Sequence, residues 1–168
     1  GSNLLVSDAG FAGVVIAMEQ SFSRISWRGD SVTAGAGALL GAVARQALDR
    51  SLTGMEFAAG IPGTIGGAVV MNAGAYGAEM QDILTRVTVL TPDGETLILP
   101  AADLQLGYRT SWIPACQYIV LEAELSRQLG KVASIQGRME ELAAQRRAKQ
   151  PLEYPSGGST FKRPDGDY

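Results

Sequence analysis

A chain of 168 residues with no histidine and a single cysteine, Cys116, has few ways to do chemistry with its own side chains. Neither a structural zinc site nor a Ser-His-Asp triad can be assembled from it. What remains is Ser, Tyr, Asp, Glu, Lys or Arg, or a bound cofactor. One stretch stands apart from this background. GIPGTIGGAVVMNAGAYG, from Gly60 to Gly77, is one third glycine and carries no charged residue. Glycine lets a ligand approach the main chain and permits turns that aim successive N–H groups at one point. Placed ahead of a helix starting near Thr64, such amides suit an anion, a pyrophosphate for example, with no lysine needed. The competing reading is a close helix crossing packed on buried glycine. Two glycine clusters and the Asn72–Gly77 loop within eighteen residues favour the ligand.

Other glycine patterns carry less. Gly35 to Gly41 reads GAGALLG, but its third spacing is wrong for a dinucleotide fingerprint and no βαβ unit surrounds it. A tight strand-to-helix turn explains it better. No GxxxxGK[ST] occurs, so there is no P-loop. On the residues alone, Arg109 in GYRTS reads as a surface ion-pair partner, and Gly157-Gly158-Ser159 as a flexible turn. Arg146, Lys149, Lys162 and Arg163 form a basic cluster near the end of an acidic chain of net charge −3. That overall charge disfavours a general nucleic-acid binder.

The elements that would position these residues follow from periodicity and turn signals. Leu4–Val6 and Val14–Ala17 are short apolar runs separated by turns and read as strands. Arg24–Arg28 and Ser31–Ala34 flank Gly29-Asp30, a hairpin signal. Leu40, Val43, Ala44, Ala47 and Leu48 recur at helical spacing and predict a helix near 38–50. A second helix runs from Thr64 to Met71, entered through Pro62-Gly63. Val87–Leu90 and Thr96–Leu99 bracket a turn at Pro92-Asp93-Gly94. Tyr118–Ala123 reads as a further strand, and Gly130 to about Lys149 as a helix stopped by Pro151. Strands in runs with interspersed helices predict an α+β fold, not a doubly wound one. At 46% apolar and 18% charged the composition is globular, and no apolar run reaches the roughly 20 residues of a membrane span. The lone cysteine points to a reducing compartment.

Read in order, GSNLLVSDAGFAGVVI, AGAG, EFAAGIPGTIGGAVVMNAGAYG, GYRTS, and RRAKQP followed by GGSTFKRP resemble the UDP-N-acetylenolpyruvoylglucosamine reductases. These are the flavoenzymes of bacterial peptidoglycan synthesis, and the match is to the shorter type. The resemblance implies the FAD-binding fold shared with vanillyl-alcohol-oxidase-like proteins. It divides the chain into residues 1–30, the end of a first FAD-binding subdomain, 31–130, a second, and 131–168, a helix and the beginning of a substrate domain. Most of the first subdomain, nearly all of the substrate domain and a catalytic glutamate are expected outside this chain. FAD contacts are implied for Gly1, Ser2, Asn3, Gly60, Ile61, Pro62, Gly63, Thr64, Gly66, Gly67 and Arg146.

The implied reaction passes hydride from NADPH to FAD and then to the enolpyruvyl double bond of a UDP-sugar. The cofactor carries the hard chemistry, while the protein orients, polarises and protonates. Arg109 matches the arginine that would stabilise the developing enolate, and Ser159 the proton donor. Lys149, Lys162 and Arg163, with Arg109 and Ser159, are the implied substrate contacts. The expected setting is cytoplasmic, with no nucleic-acid or membrane partner. Two rival readings remain. One is an oxidase of the same fold, although no histidine is present for covalent flavin attachment. The other is a non-catalytic FAD- or nucleotide-binding fragment.

Overall fold

A computed structural model of the chain describes residues 3–150, 161, 162 and 164. Strands β1 (Ile25–Arg28) and β2 (Ser31–Gly35) form the hairpin expected at Gly29-Asp30, pairing Ile25 with Ala34 and Arg28 with Ser31. Gly29 takes φ +60°, the left-handed value that a tight hairpin turn needs. The boundary expected at residue 30 from the resemblance falls in this turn, and β1 and β2 lie in one sheet.

Helix α1 (Leu40–Asp49) buries Leu40, Val43, Ala44 and Ala47, the one-face pattern read from the sequence. After it come β3 (Leu52–Thr53), a 3-10 turn at Glu56–Gly60, α2 (Ile65–Val70), and the tiny hairpin β4 (Gly74–Ala75) and β5 (Ala78–Glu79). A 3-10 turn at Met80–Asp82 leads into β6 (Leu84–Leu90) and β7 (Thr96–Pro100). Their connecting turn closes through the Gly94 N–H on the Thr91 carbonyl at 3.0 Å. β8 (Ile119–Ser126), β9 (Gln128–Leu129) and α3 (Val132–Lys149) complete the described elements.

The main sheet runs β1-β2-β8-β6-β7, with every pairing antiparallel. One face is apolar: Val32 and Ala34 from β2, Ala123 and Leu125 from β8, and Val87 and Val89 from β6 are buried. The other face is wet, and there Arg86 pairs with Glu124 at 2.7 Å and the Thr88 hydroxyl donates to Glu122. This alternation is how an antiparallel sheet faces a core on one side and water on the other. Helix α2 packs on the apolar side, close enough to the segment after β2 that only glycine fits at residue 66. The α+β, antiparallel-rich expectation holds.

Two expectations do not. Leu4–Val6 and Val14–Ala17 are irregular, not strands, and no described strand lies beside them. Their N–H and C=O groups lack a ladder partner, so apolar character alone does not make them strands. Leu5 is 94% and Val14 86% exposed. GAGALLG is the strand-to-helix turn. The Gly35 and Gly37 N–H groups donate to the Arg24 and Phe22 carbonyls, both at 2.9 Å, which leaves neither for a ligand. Among the described residues no helix is long and apolar enough to cross a membrane.

Candidate cofactor and substrate site

The chain reaches α2 through Pro62-Gly63-Thr64. Gly63 has φ +126°, a backbone that L side chains rarely adopt, and the Asn3 amide donates to the Pro62 carbonyl at 3.2 Å. This stretch is stitched to the segment before α1: the Leu40 N–H donates to the Gly63 carbonyl and the Ile65 N–H to the Ala38 carbonyl. The stitching consumes some donors and leaves others. Among the described residues the N–H groups of Gly63, Thr64 and Gly67 have no protein acceptor. Thr64 occupies the N-cap position, where a threonine hydroxyl usually caps its helix, yet this hydroxyl makes no capping bond. The same three residues line a cleft of about 700 Å³ with Asn3, Leu39, Ile61, Pro62, Met71 and Arg109. Leu39 and Met71 are exposed, so one part of the cleft offers open amide donors and another an apolar wall.

The glycine pair at the start of α2 divides its labour. At Gly67 an added Cβ would meet nothing nearer than the Thr64 Oγ1 at 3.9 Å, so its missing side chain leaves room beside the cleft. Gly66 corrects the amide reading. Its N–H donates to the Ala36 carbonyl at 2.9 Å, and an added Cβ would sit 2.9 Å from the Ala36 Cβ. Gly66 lets helix and sheet approach, and its amide is not available. Close packing thus accounts for Gly66, while its neighbour Gly67 keeps an unbonded amide beside the cleft. Ile61 likewise spends its N–H on the Ala58 carbonyl, and so its side chain, not its amide, faces the cleft. Gly60 ends the Glu56–Gly60 turn beside α3, where its Cβ would lie 3.6 Å from the Arg146 Cδ.

Arg109 sits in a four-residue turn closed by reciprocal N–H···O bonds between Gly107 and Thr110, both 3.2 Å. Its φ of +53°, at the third position of the turn, is a value usually left to glycine or asparagine. Such a backbone costs on the order of 1–3 kcal/mol and persists only where the surroundings hold it. Here they do. The guanidinium donates to the Gly74 carbonyl at 2.6 Å and the Asn72 carbonyl at 3.4 Å, and it lies 5.1 Å from the Tyr108 ring centroid. The Ser111 hydroxyl, nearly buried, ties the end of the turn to the Val70 carbonyl at 2.7 Å. Both hydrogen-bond acceptors of the guanidinium are neutral carbonyls. Among the described residues no carboxylate reaches Arg109 within 4.0 Å, and two of its five N–H donors are used, leaving three with no acceptor among those residues.

A second cleft, of about 710 Å³, opens on the other side of Arg109. Tyr76, Glu79, Asp82, Tyr108, Phe161 and Lys162 are among its lining residues. Arg109 and Met71 line both clefts. Glu79 and Asp82 are spent on each other's backbone N–H groups in a capping box. Half-buried Arg127 braces this wall by donating to the Asp82 carbonyl at 2.6 Å. Burial lowers its pKa, partly offset by Asp82 and Glu56. Tyr76, at φ +58°, reaches the Leu142 carbonyl of α3 through its hydroxyl at 3.3 Å.

Of the residues singled out from the sequence, the structure brings Asn3, Ile61, Pro62, Gly63, Thr64, Gly67 and Arg109 to the first cleft, and Arg109 and Lys162 to the second. Arg146 is half-buried on α3, and Lys149 is exposed at the end of that helix and lines neither cleft. Gly1, Ser2, Ser159 and Arg163 lie outside the described residues. Sequence reasoning missed Asn72, which is fully buried and bonded to Gly107, Gln81 and the Arg109 guanidinium.

Open amides beside a large cleft suit an anionic ligand, and the family described as FAD binding domain matches residues 1–99. The chain belongs to that family. Its relatives narrow the class further. It is 49% identical over 166 residues to the UDP-N-acetylenolpyruvoylglucosamine reductase of Geobacillus kaustophilus (strain HTA426), covering 99% of this chain and 54% of that protein. It is 51% identical over 178 residues to the enzyme of the same name from Agathobacter rectalis, covering 99% and 57%. The crystal structure of UDP-N-acetylenolpyruvylglucosamine reductase (MurB) from Thermus caldophilus superposes with a TM-score of 0.87 at 37% identity, over 99% of this chain and 60% of that one. The chain spans a little over half the length of these curated relatives.

Proposed function

We propose that this chain is the central part of an FAD-dependent reductase. In this reading NADPH supplies a hydride that reaches, through the flavin, the enolpyruvyl group of UDP-N-acetylglucosamine enolpyruvate, giving UDP-N-acetylmuramate for peptidoglycan. The observation that carries it is the position of Arg109, an arginine with no counter-ion among the described residues, shared by two adjoining clefts, one lined with open amides. FAD, when bound, supplies the hydride transfer; binding, orientation and proton handling belong to the protein.

The Gly63, Thr64 and Gly67 amides and the Thr64 hydroxyl would hold the FAD pyrophosphate, with Asn3 beside them; Gly1 and Ser2 are assigned to the same group from the resemblance alone. The apolar wall of Leu39, Ile61, Pro62 and Met71 suits the rest of the cofactor. Gly60 and Arg146 lie against each other and are assigned to the cofactor from the resemblance. In the second cleft the three open N–H donors of Arg109 receive the substrate carboxylate and the enolate charge that grows beside it. A planar, always-charged fork held by carbonyls is prepared for that charge before it forms. Ser159 is the proton donor. Lys162, in the second cleft, would meet the diphosphate of the sugar nucleotide; Lys149 and Arg163 are assigned to the same charge from the resemblance alone. Residues 1–30, with β1 lent to the next sheet, close a first FAD-binding subdomain, 31–130 form the second, and 131–168 lead into the substrate domain. The setting is the cytoplasm.

The test uses the full-length protein loaded with FAD under anaerobic conditions. NADPH is expected to bleach the flavin, and the enolpyruvyl UDP-sugar to restore its colour. A bleached flavin that the UDP-sugar leaves unchanged would overturn the assignment.

A further inference from the structure

We infer that Asn72 is the positioning residue for Arg109; the inference rests on the assignment of Arg109 to the substrate cleft. Helix α2 ends in a Schellman motif, in which the Asn72 N–H donates to the Val69 carbonyl at 3.1 Å and the Ala73 N–H to the Ala68 carbonyl at 2.8 Å. Asn72 is its left-handed residue, at φ +40°. Glycine is the usual occupant of that position, because it has no Cβ to strain. The backbone alone therefore does not explain an asparagine.

The side chain does. It is 0% exposed, and both of its polar atoms are used. Nδ2 donates to the Gly107 carbonyl at 3.0 Å, and Oδ1 accepts from the Gln81 N–H at 2.9 Å. These partners fix the amide's orientation, since a carbonyl can only accept and an N–H only donate. Gly107 opens the turn that carries Arg109, and Gln81 belongs to the Met80–Asp82 wall of the second cleft. The main-chain carbonyl of Asn72 also receives the guanidinium. One residue thus holds the turn by its side chain and the cation by its backbone. Without Nδ2, the strained Arg109 backbone loses one of the contacts that hold it, and the fork shifts against the substrate.

In the full-length, FAD-loaded protein, Asn72→Gly keeps the left-handed cap and deletes both side-chain bonds. Reoxidation of reduced flavin by the enolpyruvyl UDP-sugar is expected to slow about 10- to 100-fold, the scale set by misplacing a catalytic group by an ångström. Flavin reduction by NADPH is expected to stay within about threefold of native, because the cofactor amides are untouched. In an Arg109→Ala background the same change should alter reoxidation by less than about threefold, since residues acting through one another are not additive. Native reoxidation in Asn72→Gly, or losses that multiply in the double variant, would overturn the inference. If Asn72→Gly does not accumulate as a flavoprotein, Asn72→Asp, which keeps the acceptor for Gln81 and loses the donor to Gly107, should show the same split. Failure of both to hold FAD would make Asn72 a folding residue and overturn the inference too. The two levels separate cleanly. If the native protein's reduced flavin is not reoxidised by the UDP-sugar, the functional assignment itself fails and the inference with it. If native and Arg109→Ala behave as assigned while Asn72→Gly does not, only the role of Asn72 fails.

Discussion

Gly66 and Gly67 are neighbours in one short helix, and the structure gives them opposite tasks, so one methyl group tests both. Among the described residues an alanine Cβ at Gly67 meets nothing nearer than the Thr64 Oγ1 at 3.9 Å, and the Gly67 N–H has no acceptor. Replacing helical glycine with alanine stabilises a fold by about 0.5–1 kcal/mol. Where each kcal/mol moves the midpoint by about 2–4 °C, the apoprotein should melt about 1–4 °C higher. The same methyl stands where a phosphate must approach the amide. Losing one hydrogen bond to a charged group costs about 1.5–3 kcal/mol, or roughly 10- to 150-fold in Kd for FAD. At Gly66 the Cβ would stand 2.9 Å from the Ala36 Cβ and 3.3 Å from its carbonyl oxygen. Overpacking of that kind costs about 1–3 kcal/mol. Gly66→Ala should therefore melt lower, while its folded fraction binds FAD much as the native protein does. Thermal melting of the apoproteins and titration with FAD, followed by flavin fluorescence, read both quantities. A Gly67→Ala protein with native FAD affinity would refute the open-amide cradle, and a Gly66→Ala protein of native stability would refute the packing role.

Three further outcomes follow from the same geometry. Arg109→Lys should keep flavin reduction by NADPH near native and slow the substrate half-reaction by at least about tenfold, since a single ammonium cannot hold two carbonyls and a carboxylate as the fork does; equal rates in stopped flow would contradict this. Ser159→Ala should leave flavin reduction intact and cripple flavin reoxidation by the UDP-sugar, whereas equal loss of both would make this serine structural. Ser111→Ala strands the Val70 carbonyl, a loss of about 1–3 kcal/mol readable as a lower denaturant midpoint, and an unchanged midpoint would show that the hydroxyl does not hold the turn.

The elements with strong local signals were legible. Gly29-Asp30 and Pro92-Asp93-Gly94 fix their hairpins through residues that accept turn geometry, and Leu40, Val43, Ala44 and Ala47 trace one face of α1. Leu4–Val6 and Val14–Ala17 were not, because a strand is made by its neighbour and apolar content says nothing about one. The cofactor stretch was legible as glycine-rich backbone. The division between Gly66 and Gly67 was not, because it depends on where the helix meets Ala36, a contact made across the fold. Asn72 left one usable trace: an asparagine closing the apolar run Ala68–Met71 is the residue that takes a left-handed helix end when glycine does not. Its reach to Gly107, 35 positions away, leaves no local signature. On its local residues alone Arg109 reads as a surface ion-pair partner; the resemblance assigns it the catalytic role, and among the described residues its hydrogen-bond acceptors are carbonyls, not carboxylates.

Residue-resolved amide hydrogen exchange on the full-length protein, with and without FAD, addresses the cradle directly. Gly63, Thr64 and Gly67 should exchange freely in the apoprotein and slow by at least about tenfold when FAD is added, as amides do on gaining an acceptor. Ile65 and Gly66, already bonded to Ala38 and Ala36, should change little at that step. Exchange at Gly63, Thr64 and Gly67 that stays fast in the FAD-saturated protein would contradict the account.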